Sequence, residues 1–180
     1  GSSTMKEERY ADNLRFFRTS EKVFESSEPI YYPDDEVTLR LISYYPYQEE
    51  GVNMGESTMS VAVETDQNLS AGYFCSDFLV ASQNLQSAPK GAIALHYDHK
   101  FFKLKIALVG KEGEELQGIL DADPKLSVCG FYTKAIYDFQ KEIYSAFSNE
   151  KSITPAGKWE IQGDRLSGKE VILIPQETTL

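Results

Sequence analysis

The stretch Glu28–Tyr47, EPIYYPDDEVTLRLISYYPY, decides how this chain reads. Val37, Leu39, Leu41, Ser43 and Tyr45 fall in one phase, and Thr38, Arg40, Ile42 and Tyr44 in the other. A period of two is the mark of a strand with one buried face. The odd phase is the more apolar, which places Tyr45 inward. Ile30–Tyr32 reads as a short strand stopped by Pro33, Asp34-Asp35 as a turn, and Glu36–Tyr45 as the strand proper. Pro46 closes it, because proline has no N–H to give to a ladder.

Further strands are expected on both sides. Upstream, Leu14–Phe17 and Lys22–Phe24 read as two short strands, with one irregular helix as the alternative, behind a loose segment, residues 1–13. Downstream, Thr58–Val63 alternates again, and Tyr73–Ala81 is an apolar stretch that reads as a helical turn or an irregular edge. Ala92–Asp98 gives the longest strand signal. Its odd phase switches to the even phase of Leu104, Ile106 and Leu108, which calls for a bend or bulge between His99 and Leu104. Lys111–Glu115 reads as a charged hairpin loop and Ser127–Phe131 as a strand.

Lys134–Phe147 fits two periods. Ile136, Phe139, Ile143 and Phe147 make a helical face, while Phe131, Thr133, Ala135, Tyr137 and Phe139 make a strand face. The surrounding β pattern favours strand. Glu170–Ile174 (EVILI) is an apolar final strand ended by Pro175. Nine to twelve short strands with turns every 8–12 residues give an all-β fold class, an antiparallel β-sandwich over residues 14–180.

Composition narrows the function classes. The chain has 180 residues, 41% hydrophobic and 26% charged, enough for one domain with a real core. A net charge of −10 argues against nucleic acid, since phosphate contacts need clustered cations. No apolar run reaches the ~18 residues of a membrane helix. Cys75 and Cys129 sit among apolar neighbours and read as buried thiols, with one bridge between them open as an alternative.

No catalytic signature stands out. There is no Gly-rich phosphate loop and no G-x-S-x-G elbow. With 28 acids, no carboxylate pair singles itself out. His96 and Asp98 share a strand face, but with only two histidines and no third ligand in phase they read as a solvated pair. Asp34–Glu36 and Asp121–Asp123 read as turn acids rather than calcium loops. No catalytic residue, metal or cofactor is therefore assigned. Tyr44, Tyr47 and Tyr73 remain as candidates for aromatic ligand contacts, such as stacking on a sugar.

EPIYYPDDEVTLRLISYYPY resembles the first strand pair of fimbrillin-like proteins of Bacteroides-type bacteria. Three more stretches are similar to that family in the same order. They are Asp66-Gln67 with Ser76–Ala81 (SDFLVA), Ile93–Lys100 with Leu104–Ile106, and Lys169–Gln176 (KEVILIPQ). The resemblance implies a sandwich of transthyretin-like topology in an exported protein of the outer membrane, cell surface or fimbrium. The implied role is a pilus subunit, anchor or adhesion protein. It implies proteolytic removal of an N-terminal strand after a basic residue, which makes Arg9, Arg15 and Arg18 candidate processing sites. The freed groove would be filled by a C-terminal donor strand from the next subunit, another pilus protein or another copy of the chain, with a host or glycan ligand as further partner. A carbohydrate-binding surface lipoprotein module is the alternative. The family's usual lipid anchor and second β domain have no counterpart in these 180 residues, so membrane contact is expected only through such an anchor.

Overall fold

The computed structural model describes residues 11–21, 23–32, 38–87 and 89–177. In chain order the elements are β1 (Phe16–Ser20), β2 (Val23–Ser26), β3 (Leu39–Tyr45), β4 (Val52–Asn53), β5 (Thr58–Ala62), α1 (Ser70–Cys75), β6 (Leu79–Leu85), β7 (Asp98–His99), β8 (Phe102–Val109), α2 (Leu116–Asp121), β9 (Tyr132–Asp138), β10 (Ile143–Glu150), β11 (Glu160–Gln162) and β12 (Arg165–Leu173). Among the described residues the strands form four antiparallel sheets, ordered β1-β2, β10-β9-β5-β4, β11-β12-β8 and β3-β6-β7.

The core lies where three of these sheets meet. Met59 and Val61 on β5 pair with Tyr137 and Ala135 on β9 and share their inward face. Opposite them stand Phe78, Val80 and the end of β12. Val171, Ile172, Leu173 and Ile174 are all at most 3% exposed, so the C-terminal end of β12 is covered on both faces. A continuous apolar run such as EVILI is what a strand buried on both sides requires. The abundant aromatics are largely spent here. Phe78 packs edge-on to Tyr137 with centroids 5.2 Å apart, Tyr137 meets Phe139 at 5.4 Å, and Phe101 meets Phe78 at 5.4 Å.

β12 needs backbone partners on both edges, because buried N–H and C=O groups are costly when unpaired. β8 supplies one edge along its length. The other is tiled by three devices. β11 pairs residues 165–167, Ala156 exchanges both backbone bonds with Glu170, and the Gln67 side chain completes the row. Gln67 Nε2 donates to Ile172 O and Ile172 N–H donates to Gln67 Oε1, both at 2.8 Å. A second glutamine does the same for β9. Gln176 Oε1 accepts from Tyr132 N–H at 2.9 Å and its Nε2 donates to Tyr132 O at 3.0 Å.

Gln67 is held in place from its own loop. Its N–H donates to Thr154 O at 3.0 Å. Ser76 Oγ accepts from Glu64 N–H and donates to Gly72 O, closing α1 onto the same loop. A Cβ on Gly72 would lie 2.1 Å from Asp66 O, so only glycine permits this approach.

Several expectations need correction. The inward phase of β3 is the even one. Ile42 and Tyr44 pack on the core, whereas Tyr45 is 44% exposed. Apolar count misled because Arg40, in the even phase, sits at the core's rim, where its guanidinium donates to Phe139 O at 3.2 Å. Ile30–Tyr32 is not a strand. Tyr32 instead uses its hydroxyl, which donates to Leu85 O at 3.1 Å. The expected turn at Asp34-Asp35 and the start of the strand at Glu36 lie outside the described residues. Of Ala92–Asp98 only Asp98 enters a ladder, in β7. Residues 92–97 run beside β6 without pairing, and Tyr97 Oη lies 2.6 Å from Ser43 Oγ. Ser127–Phe131 contributes a single bridge, Val128 to Ile153, and the loop after Lys111 leads into α2. Cys75 and Cys129 are exposed and unbridged.

Other readings hold. β1 and β2 form a hairpin. Tyr73–Ala81 divides into the end of α1 and the start of β6. Lys134–Phe147 is strand, folded into the β9–β10 hairpin at Asp138. The Asp138 Oδ1 accepts from the N–H groups of Gln140 and Lys141 at 2.8 and 2.9 Å, a side-chain turn that breaks either period.

Gln67→Leu is expected to leave both Ile172 backbone groups unpaired in the core, at about 1–3 kcal/mol each. The variant should unfold at a markedly lower urea concentration with an unchanged denaturant slope. Gly72→Ala should destabilise through the same loop. An unshifted midpoint in both would refute the clamp.

Candidate functional site

The three candidate tyrosines are not brought together. Tyr44, on the inward phase of β3, stacks at a tilt on Phe139 with centroids 6.0 Å apart. Its hydroxyl donates to Asn13 Oδ1 at 2.5 Å and lies 3.1 Å from Gln48 O. Burial pushes this phenol up from its ordinary value. Tyr47 lies just past the cis Tyr45–Pro46 bond, with the Arg15 guanidinium 5.4 Å from its ring centre. Tyr73 is on α1, over the β8–β12 sheet. Its hydroxyl donates to Glu170 Oε1 and the Lys103 ammonium stands 5.4 Å from its ring centre. Burial and the Glu170 bond push the Tyr73 phenol up, while the same bond draws the Glu170 carboxyl down. Two of the three hydroxyls are thus used inside the fold, and Tyr44 and Tyr47 share a corner that Tyr73 does not.

Of the candidate processing sites, Arg9 lies outside the described residues. Arg15 precedes β1. Its carbonyl accepts from Ser27 N–H at 2.9 Å and its guanidinium also covers Phe17 at 4.9 Å. Arg18 is within β1, exposed, with Nε donating to Ser20 O. The hairpin that carries them pairs with no third strand among the described residues. It leaves Phe16, Phe17, Val23 and Phe24 between 44% and 58% exposed.

The most distinctive surface is the outer edge of β8, which sequence reasoning did not single out. β8 is an edge strand eight residues long whose second side has no strand partner among the described residues. Its register with β12 pairs Leu104 with Val171 and Phe102 with Leu173. Paired residues share a face, yet Val171 and Leu173 are fully covered while Leu104 is 40% and Phe102 39% exposed. One layer of apolar cover therefore stops at β12 and leaves β8 half bare. On the opposite face Lys103 and Lys105 alternate with these residues, and Lys103 Nζ lies 3.4 Å from Glu170 Oε1. Lysines on a strand are a sequence sign of an edge, and this is the one cue that could have marked it.

Polar chemistry elsewhere is sparse. His99 Nδ1 lies 2.7 Å from Asp77 Oδ1 on the surface. Among the described residues no three His, Cys, Asp or Glu converge as a metal site, and no helix is long and apolar enough to cross a membrane.

Solved structures that share this architecture include two from Bacteroides. A candidate cell adhesion protein from Bacteroides uniformis superposes with a TM-score of 0.57 at 21% identity, over 90% of this chain and 60% of that one. Another from Bacteroides ovatus gives 0.56 at 14% identity, over 87% and 57%. This chain therefore spans less than two thirds of the length of either, and at these identities the likeness speaks to the fold alone. No curated protein matches the sequence. The fimbrillin-like family matches it over residues 1–180, its whole length, and the chain belongs to that family.

Proposed function

We propose that this chain is a non-catalytic component of a cell-surface adhesion structure or pilus, and that it joins its neighbours by strand addition at β8. The observation that carries the reading is the half-bare β8 edge, where unpaired backbone groups and exposed Phe102 and Leu104 coincide. An added strand would satisfy the backbone groups and cover the side chains in one step. Membership of the fimbrillin-like family supports a pilus role, and the structural neighbours' description as candidate cell adhesion proteins supports a surface location. The fold is consistent with a building block. Its buried polar residues Gln67, Ser76 and Thr133 all bond to backbone groups.

Covering one leucine side chain is worth roughly 1.5–3 kcal/mol, so Leu104→Asp should weaken strand addition by about tenfold or more. In the native host the variant is expected to reach the cell surface yet fail to enter fibres or adhesive assemblies, with an unchanged circular dichroism spectrum when purified. Incorporation equal to that of the unaltered chain would overturn the assignment of β8.

A further inference from the structure

We infer that residues 93–97 are a detachable continuation of β7, a strap that zips onto the free edge of β6 within the same chain and seals it. The inference is independent of the reading of β8. Three observations carry it.

The first is the place of the gap. The ladder between β6 and β7 stops after two pairs, Leu79 with His99 and Val80 with Asp98. Continued in the same register, it would set Ala81 against Tyr97, Ser82 against His96, Gln83 against Leu95 and Asn84 against Ala94. A cleft of about 370 Å³ lies there instead, with Ala81, Ser82 and Gln83 on one bank and Ala94, Leu95 and His96 on the other. The cleft is thus the next stretch of the ladder, drawn apart.

The second is the match of faces. Residues paired across strands share a face of the sheet. The register puts Tyr97, Leu95 and Ile93 on the face that Ala81, Gln83 and Leu85 share with Ser43, Leu41 and Leu39 of β3. These three are the apolar phase of the strap, and Ile93 and Leu95 are already partly buried. Tyr97 holds the register while the strap stands open. Its hydroxyl lies 2.6 Å from Ser43 Oγ, within the row Ser43–Ala81–Tyr97, and Ala81 between them is 2% exposed. A slip of one residue would turn Ile93 and Leu95 to the other face.

The third is the unused backbone. The bond from Lys100 N–H to Phe78 O at 2.8 Å fixes which pairs exchange hydrogen bonds. In an antiparallel ladder these alternate, so they are Phe78 with Lys100, Val80 with Asp98, Ser82 with His96 and Asn84 with Ala94. Among the described residues the backbone groups of 92–97 make no hydrogen bond, and those of Ser82 and Asn84 find no partner on this edge. Closure adds four bonds, two between Ser82 and His96 and two between Asn84 and Ala94. No hydrogen bond among the described residues ties the strap's backbone elsewhere. Closed, the strap lengthens β7 and covers an edge that would otherwise stand open to any extended chain. The segment is therefore a gate on β6.

Hydrogen exchange of the full chain, read residue by residue by NMR, tests this. The amides of Ser82, Asn84, Ala94 and His96 are expected to exchange at least about tenfold more slowly than in an unstructured peptide, while those of Leu95 and Tyr97, which point away from β6, exchange at the peptide rate. His96 is exposed and outside the core, and His96→Pro removes an N–H that only the closed form uses. That variant should return Ser82 and Asn84 to the peptide rate and leave the urea midpoint of unfolding unchanged. Thiol trapping gives a second readout. With Cys75→Ser and Cys129→Ser in place, Gln83→Cys with Leu95→Cys should form a disulfide in mild oxidant. Gln83→Cys with His96→Cys, one residue out of register, should do so at least about tenfold more slowly. Peptide-rate exchange at all four amides overturns the proposal. So does slow exchange that is equal at Leu95 and Tyr97, which reports a strap packed on the face without a ladder, and so does slow exchange that His96→Pro leaves untouched. Equal rates for the two thiol pairs overturn it as well, because the strap then does not continue the register of β7.

Discussion

The two hydrogen bonds between the Gln67 amide and the Ile172 backbone hold the rest of this fold to account. The C-terminal end of β12 is buried on both faces, so its backbone groups there must find partners inside the protein. β11 is only three residues long and leaves β12 at Arg165–Ser167, and the bridge to Ala156 reaches Glu170. Beyond that no strand remains on that side, and a primary amide is the one side chain whose donor and acceptor are spaced to imitate a neighbouring peptide. The same substitution recurs at Gln176, which takes over beside Tyr132 where the pairing of β5 with β9 has ended at Lys134. Short strands and glutamine surrogates together let small sheets cover one another without leaving orphaned backbone.

This changes the meaning of the residues that carry the family resemblance. Gln67 and Gln176 stand in for strands, Ser76 fastens α1 to the Gln67 loop, and Asp66 holds the N–H of Asn68 while its neighbours Thr65 and Gln67 bond to the Thr154 backbone. These are structural fasteners. They identify the architecture, and none of them lies on the exposed aromatic hairpin or on the bare side of β8. The fasteners thus stand apart from the open edge, although Leu104–Ile106, which also carries the resemblance, lies on β8 itself.

The same division explains how much was legible in the sequence. Alternation found β3, β5 and β8, and the apolar run found β12, because burial imposes a period that needs no knowledge of partners. The inward phase of β3 was not legible. It turns on Arg40 reaching the Phe139 carbonyl across a long sequence separation. Residues 92–97 show a strand period without a strand, since alternation reports a segment lying on apolar surface as readily as one in a ladder. The cysteines among apolar neighbours were exposed because α1 buries none of its residues and Cys129 sits on a loop near Ser152. The β8 edge was hidden for a related reason. Period two says which residues share a face, but the number of strands beside it is a property of the whole topology.

On the proposed reading of β8 as an acceptor, the closed side of β12 is what makes the open side of β8 useful. A strand edge accepts a partner at least cost when it is already fixed, since ordering both partners at once would consume the gain. β8 is bonded along its length to β12, and β12 is locked by β11, Ala156 and Gln67. The acceptor edge is therefore rigid before any partner arrives. Lys103 and Lys105 guard it meanwhile, because a bare edge bearing cations resists pairing with copies of itself while remaining open to a strand that brings an acid. On that reading, an edge fixed by buried amides and lined by lysines would select a partner by charge and phase, which a generic sticky surface would not do.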